Sequence, residues 1–388
     1  MIAFTLPMML TACTPIPGGP GDKFATTDGW ILPFGGELSD EMWGIDAVGD
    51  GSGDVIVSSF ESRPTAMPDV YVYRITPDGE VMWEFTWGDD SLDKSFKVTV
   101  ADGVAYVGGT TYHDLSNDSA DAFVLALDAA TGTQIWEWVR DGGFGYEEVD
   151  GISVVDDAIY LSGWTTGEAT GNDGFVAKLN TDGEEAWFRS VGGQGWDEFN
   201  GHNVVIDDAI FVAGLMDGTR YATGGDAHLW SFATADGAQL WDIGAPATSA
   251  WDDALGLTTD GTNLYTVGVA PTPAAGVDLW ILRVPLAGGT IDEFPFGGAG
   301  TQYGRSIDWD AAGNLVIGMT TNATGEDDSG LLRVNPTTMT EVDWTPMDGA
   351  ADDRIDDLIV TDTTVWTVGT TDSFGAGKSD GFLRMAAQ

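Results

Sequence analysis

Acidic pairs recur along this chain, separated by one or two lengths of a common repeat: Asp40-Glu41, Glu147-Glu148, Asp197-Glu198, Asp252-Asp253 and Asp352-Asp353. Carboxylates in such numbers can do three kinds of chemistry. Converging with backbone carbonyls, they form the oxygen cage that a hard cation such as Ca²⁺ requires. Two at a suitable separation can cleave a glycosidic bond. Most simply, they accept backbone N–H groups and cap turns. Capping is the reading to prefer, because a residue present in nearly every unit is more often architectural. Ca²⁺ is the one cofactor the pattern suggests, with these ten residues as its ligands. Catalysis ranks last: His113, His202 and His228 stand isolated, and neither His-Glu-x-x-His nor Gly-x-Ser-x-Gly occurs. The run "GDGSGD" (Gly49 to Asp54) lacks the alternate acids and distal Glu of an EF-hand, so it reads as a hairpin turn.

The elements that carry these acids are short and repeated. An aspartate opens an apolar run at Asp69, Asp121, Asp173, Asp226, Asp278 and Asp380, and Ser329 fills the gap in the series. Successive separations are 51–53 residues, which makes seven copies over residues 29–388. Each copy holds four runs, in the third copy "EEVDGISVV", "AIYLSGWTT", "DGFVAKLN" and "EEAWFRSVG". Asp-Asp and Thr-Asp-Gly between them are turn chemistry. No long window shows helical periodicity. Four antiparallel strands in a repeat of this length signal a propeller blade. The last copy stops after its third run, while "GWILPFGG" (Gly29 to Gly36) is a fourth run without its blade. The expectation is an all-β, seven-bladed propeller of four-stranded blades, closed by pairing the N-terminal strand with the C-terminal ones. Closure removes exposed sheet edges.

Trp30, Trp83, Trp136, Trp187, Trp241 and Trp344 occupy matching places, several as Trp-x4-Gly. A ring of tryptophans could be a ligand platform, but packing between blades is the simpler reading. Asp292 replaces the tryptophan in copy five, which should make that edge the weakest. The acidic pairs and the third-strand aspartates should share one face, around the channel mouth. Copies two and six depart there, with Asp93-Lys94 and Gln302-Tyr303.

"DGFVAKLN" followed by an Asp-Gly turn and a tryptophan, with "GGQGWDE" at Gly192 to Glu198, resembles the bacterial β-propeller repeat of the SBBP type. "ALDAATGTQIW" (Ala126 to Trp136) is similar to the repeat of quinoprotein (PQQ-type) propellers. Both resemblances imply a propeller. The quinoprotein likeness also implies a vicinal cysteine pair, and this chain has one cysteine.

That cysteine is Cys13, and Leu10-Thr11-Ala12-Cys13 resembles the lipobox of bacterial lipoproteins. The resemblance implies that residues 1–13 are a signal segment ending in an acylated cysteine. Thr14 in the position after it implies outer-membrane rather than inner-membrane placement. The apolar opening is too short to span a bilayer. Residues 14–28, rich in Pro and Gly, read as a flexible tether.

The formal charge of −47, from 62 acids against 15 bases, repels phosphates and anionic lipid surfaces, which argues against nucleic acid as a partner. The membrane is reached only through the N-terminal lipid. The functional expectation is a monomeric, non-catalytic binding scaffold of the cell envelope. Its partner is a protein or carbohydrate, met through loops such as "SRPTAMP", "YHDLSNDSA" and "PTPAAGV", which vary while their frame persists. The alternatives are a Ca²⁺-dependent structural or adhesion module, and a carbohydrate-active or quinoprotein-like enzyme.

Overall fold

The computed structural model describes residues 21–388 except 37, 64–65, 89–90, 115–118, 141–144, 167–170, 194, 219–224, 246–251, 273–275, 299, 323–326, 348, 350 and 376–378. Cys13, and with it the lipobox expectation, lies outside the described residues, as does much of each variable loop. Among the described residues the chain is all β, with thirty strands and no helix. No helix is long and apolar enough to cross a membrane.

The third repeat shows how one unit forms. Glu147–Val155, Ala158–Thr166, Asn172–Asn180 and Glu185–Val191 pair antiparallel in chain order. Asp156 takes a left-handed φ of 52° in the first turn, a conformation that Asp tolerates because its short side chain hydrogen-bonds locally. The second strand is buried along nearly its whole length. It has another sheet on each face, so its residues are apolar or small throughout instead of alternating. Repeats one, two, five and six are separate four-stranded sheets, and repeats three and four share a nine-stranded one, joined by the single parallel bridge Asn172–Trp196. In the last sheet Gly29–Phe34 pairs with Asp380–Ala387, Trp30 opposite Met385.

Hydrophobic clusters lie between sheets, each fed by neighbouring repeats. One holds Ile281 of repeat five with Ile317 and Leu332 of repeat six. Another holds Val368 and Leu383 of the last repeat with Ile45, Val57 and Tyr73 of the first. Burying each such side chain contributes roughly 1.5–3 kcal/mol.

The tryptophans join sheet to sheet. The Nε1–H groups of Trp30, Trp83, Trp136, Trp187 and Trp241 donate to the carbonyls of Pro77, Ala129, Thr181, Thr234 and Leu286, at 2.9–3.3 Å. Each of these carbonyls stands eight residues past its repeat's third-strand aspartate. The indole lies on the turn so closely that a Cβ at Gly132 would come within 2.7 Å of Trp83.

The fifth-to-sixth seam, where Asp292 replaces the tryptophan, is built differently. Arg283, held by Asp292 at 2.7 Å, reaches the equivalent carbonyl of Pro336 at 3.4 Å. Met339 stands where the other turns have glycine, with φ at 50°, and packs into the space that an indole fills elsewhere. The strand register also corrects two sequence alignments. Asp328, not Ser329, pairs with Thr321 as Asp380 pairs with Thr371. Trp344 therefore stands one residue out of step, opposite Leu332, and faces back into the fifth-to-sixth core. Asp343, opposite Arg333, occupies the tryptophan's place.

Candidate ligand site at the axis

The first strand of each repeat starts at the acidic pair, and three residues after the pair's first member its ladder slips. Register shifts leave Trp43, Phe96, Asp150, Leu255, Arg305 and Asp356 unpaired with the second strand. In repeat four the strand breaks into Trp196–Glu198 and Val204–Ile206, with Asn200 in the gap. Bulges re-aim side chains. These seven residues, one from each repeat, line a single cavity of about 50 Å³ together with His202.

Below this layer is a buried polar knot. Lys97 Nζ lies 2.7 Å from Asp357 Oδ2 and 2.9 Å from His202 Nε2, and His202 Nε2 lies 3.2 Å from Asp357 Oδ1. Three repeats meet there, and Ile45 N–H of the first repeat donates to the same carboxylate at 3.3 Å. Burial pushes Asp357 up, but Lys97 and His202 outweigh it and hold the carboxyl at about 2. His202, isolated in sequence, is thus a member of a cluster. Deeper still, side chains tie one repeat to the next. Asp46 accepts from Val100 N–H at 2.7 Å, Thr99 donates to Ile152 O, Ser153 donates to Asn203 O, and Asp308 accepts from Val360 N–H. Burial raises Asp46 to about 6, against the opposing pull of that N–H and of Lys97.

Above the cavity, one residue past the first position of each repeat, stand Glu41, Lys94, Glu148, Glu198, Asp253, Tyr303 and Arg354, of which Glu41, Glu148, Glu198 and Asp253 are second members of the expected acidic pairs. The expected pair in repeat seven, Asp352-Asp353, is shifted by one. Asp353 pairs with Thr371 and holds the first place, so Arg354 faces the axis. This rim has two arcs. Repeats three to five contribute Glu148, Glu198 and Asp253. Burial, and then the charge of Glu198, push Glu148 to about 7 and Asp253 to about 8, while Lys94 and Arg305 respectively oppose the rise. Trp196 Nε1–H donates to Glu198. On the other arc Arg354 binds Glu41 at 3.0 Å and Asp356 at 2.8 Å, its guanidinium 5.0 Å from the Trp43 ring. Arg305 lies 5.4 Å from the same ring and 5.8 Å from Tyr303.

The first members of the pairs turn away from the axis and cap. Asp40 accepts from the Gly36 and Ser62 N–H groups at 2.8 and 2.6 Å, Asp197 from Gly193, and Asp252 from Ala227. Glu147 binds Arg140 and Thr165, and Asp353 binds Ser373. The third-strand aspartates meet them at the junctions between repeats. A Cβ on Gly88 would lie 2.6 Å from Asp93 and 2.7 Å from Asp69, which is why the Trp-x4-Gly glycine is needed. Burial, with Asp380 beside Asp40 and Asp197 beside Asp173, raises the pKa of Asp40 and Asp173. Among the described residues no three His, Cys, Asp or Glu side chains converge closely enough to hold a metal ion. The "GDGSGD" hairpin uses Asp50 and Asp54 to grip Arg74, each at 2.8 Å.

Sequence reasoning found the acidic pairs but missed Trp43, Arg305, Asp356, Lys97 and Asp357. The signal was available: once the repeats are aligned, Trp43, Arg305 and Asp356 stand three places past each pair's first member, where the copies differ widely, and Lys97 and Asp357 stand four places past it, where most copies have glycine.

No family model and no curated protein matches this chain. Solved structures do. The Dos1 propeller aligns with a TM-score of 0.53 at 10% identity, covering 92% of this chain and 94% of that one. A quinohemoprotein alcohol dehydrogenase from Comamonas testosteroni aligns at 0.50 and 12% identity, covering 91% and 76%. A putative 6-phosphogluconolactonase from Bacteroides fragilis aligns at 0.50 and 12%, covering 89% and 97%. At these identities the likeness is one of fold. The chain is an all-β protein of antiparallel four-stranded sheets with the β-propeller fold.

Proposed function

We propose that the seven repeats are seven blades of a closed ring, the nine-stranded sheet counting as two. On this reading the ring presents a binding site at its axis and the chain acts as a non-catalytic scaffold. One observation carries it: equivalent residues from all seven repeats line one cavity, which an open stack of sheets would spread along a line. The Gly29–Phe34 to Asp380–Ala387 pairing and the Glu41–Arg354 contact support closure. A protein or glycan partner would meet the rim and the loops around it, where acidic and basic-aromatic arcs oppose each other. The cavity is too small for a sugar ring, which disfavours the glycosidase alternative.

The SBBP likeness and the lipobox support a lipid-anchored envelope protein, with Cys13 acylated and residues 29–388 folding as one unit beyond the tether. A Cys13→Ser variant that still incorporates labelled fatty acid would sink the anchoring part. For the scaffold, a photo-crosslinking residue at Tyr303, on the rim, is compared with one at Leu240, which is 55% exposed on a fourth strand. One discrete adduct in cell envelopes from Tyr303 and none from Leu240 is expected. Equal labelling from both would remove the rim as the binding face.

A further inference from the structure

Two polar groups beside the axial cavity have bonding capacity that the protein does not use. Arg305 has five N–H donors, lies against Trp43 and Tyr303, and makes no hydrogen bond among the described residues; its Nε is buried without a partner. Its nearest carboxylate, Asp356, is 3.6 Å away and is already gripped by both oxygens from Arg354, at 2.8 and 3.1 Å. On the neighbouring repeat, Asp253 is buried and spends Oδ2 on Asn200 at 3.2 Å, while its Oδ1 has no partner. Arg305 and Asp253 are close enough to feel each other's charge but make no ion pair. Buried donors and acceptors are rarely left unused in folded proteins. An unused donor that lines the cavity, and an unused acceptor on the adjacent strand just behind the lining residue Asn200, call for a ligand with one acceptor and one donor.

We propose that the axial cavity binds the ammonium–carboxylate head of a small α-amino acid. Arg305 takes the carboxylate, and the Glu198–Asp253 side takes the ammonium. A guanidinium with its donors free recognises a carboxylate in bidentate fashion. The cavity of about 50 Å³ admits a head group and little more, so the side chain must be small or leave through the rim. The choice of a zwitterion also fits the charges around it. A plain carboxylate would meet the acidic arc and the field of a chain at −47, whereas a plain amine would leave Arg305 unsatisfied.

This inference rests on the closed ring and its axial site, but not on a macromolecular partner at the rim. It is tested on the full-length protein by calorimetry and thermal shift, with glycine, sodium acetate and methylammonium chloride at matched ionic strength. Glycine should raise the melting temperature and bind at least tenfold more tightly than either half-ligand. Arg305→Gln should cost at least tenfold for glycine, and Asp253→Asn should do the same. If Arg305→Gln fails to fold, Arg305→Lys keeps the charge without the fork and should still weaken glycine severalfold. Equal responses to all three solutes, or glycine binding unchanged in the Arg305 variants, would overturn the proposal. A surviving Tyr303 crosslink would then show that the scaffold reading stands without it.

Discussion

The seams between repeats and the cavity to which all seven repeats contribute follow opposite rules. At the seams the same solution recurs: an indole donates to a turn carbonyl of the next repeat, over a glycine that leaves room for it. At the axis no residue type predominates. The seven bulged positions hold Trp, Phe, Asp, Asn, Leu, Arg and Asp. Uniform positions solve a problem that every repeat shares, namely how to hold its neighbour. Differing positions face one common space, where seven copies of any one charge would repel and seven copies of any one ring would collide. Repetition therefore marks architecture, and departure from it marks the site. The fifth-to-sixth seam shows that the rule has slack. Arg283 with Asp292 and Met339 replaces indole and glycine together, because changing one alone would leave either a hole or a clash.

The contrast can be broken most forcefully at the axis. Lys97→Met would leave Asp357 buried without the ammonium that lies 2.7 Å from it. Removing one partner of a buried pair costs about 3–5 kcal/mol, which urea unfolding would read; a loss below 1 kcal/mol would mean that the knot does not hold the repeats together.

Three buried acids should make stability fall as pH rises. Asp46, Glu148 and Asp253 are raised to about 6, 7 and 8, whereas their unfolded values lie near 4. The unfolded chain therefore releases these protons first, and each contribution, full below pH 4, is lost as pH climbs to the folded value. Between pH 5 and 8 this amounts to roughly 2–3 kcal/mol for Asp253 alone, after allowance for relaxation at a buried site. Asp253→Asn should flatten the upper part of that slope in a melting-temperature series, and an unchanged slope would contradict the assignment. Asp357, held near 2, acts the other way: its stabilisation is present above pH 4 and fades only as pH falls toward 2.

At a uniform seam, Trp83→Ala should cost about 2 kcal/mol, less than for a fully enclosed indole because the ring is only half-buried. The smallest effect is expected where the seam departs from the pattern. Asp292→Ala removes an exposed ion pair worth about 0.5 kcal/mol. A loss there as large as that at Trp83 would mean that the Arg283–Asp292 pair, and not the packing of Met339, carries the seam.

Much of the fold was legible without coordinates because propeller sheets are built from local hairpins whose turns and apolar runs repeat. Thr181-Asp-Gly183 between two short runs marks a hairpin wherever it occurs. The alignment failed where the repeat was least regular: Ser329 was matched in place of Asp328, Asp352 in place of Asp353, and Trp344 in place of Asp343. A single inserted or lost loop residue shifts a sequence alignment, whereas a strand's register is set by which face must be buried.

By itself the sequence determined the all-β class, the repeat of four runs and their order, and the chain's overall negative field, since each depends on neighbours in the chain or on composition. Only the tertiary structure decided which acids flank the cavity, that His202 meets Lys97 and Asp357 from distant repeats, and that Arg305 lines the cavity with no hydrogen bond among the described residues. Those facts depend on a bulge of one residue, which turns a side chain from the sheet toward the centre. They also depend on residues some fifty to three hundred positions apart, which nothing along the chain relates.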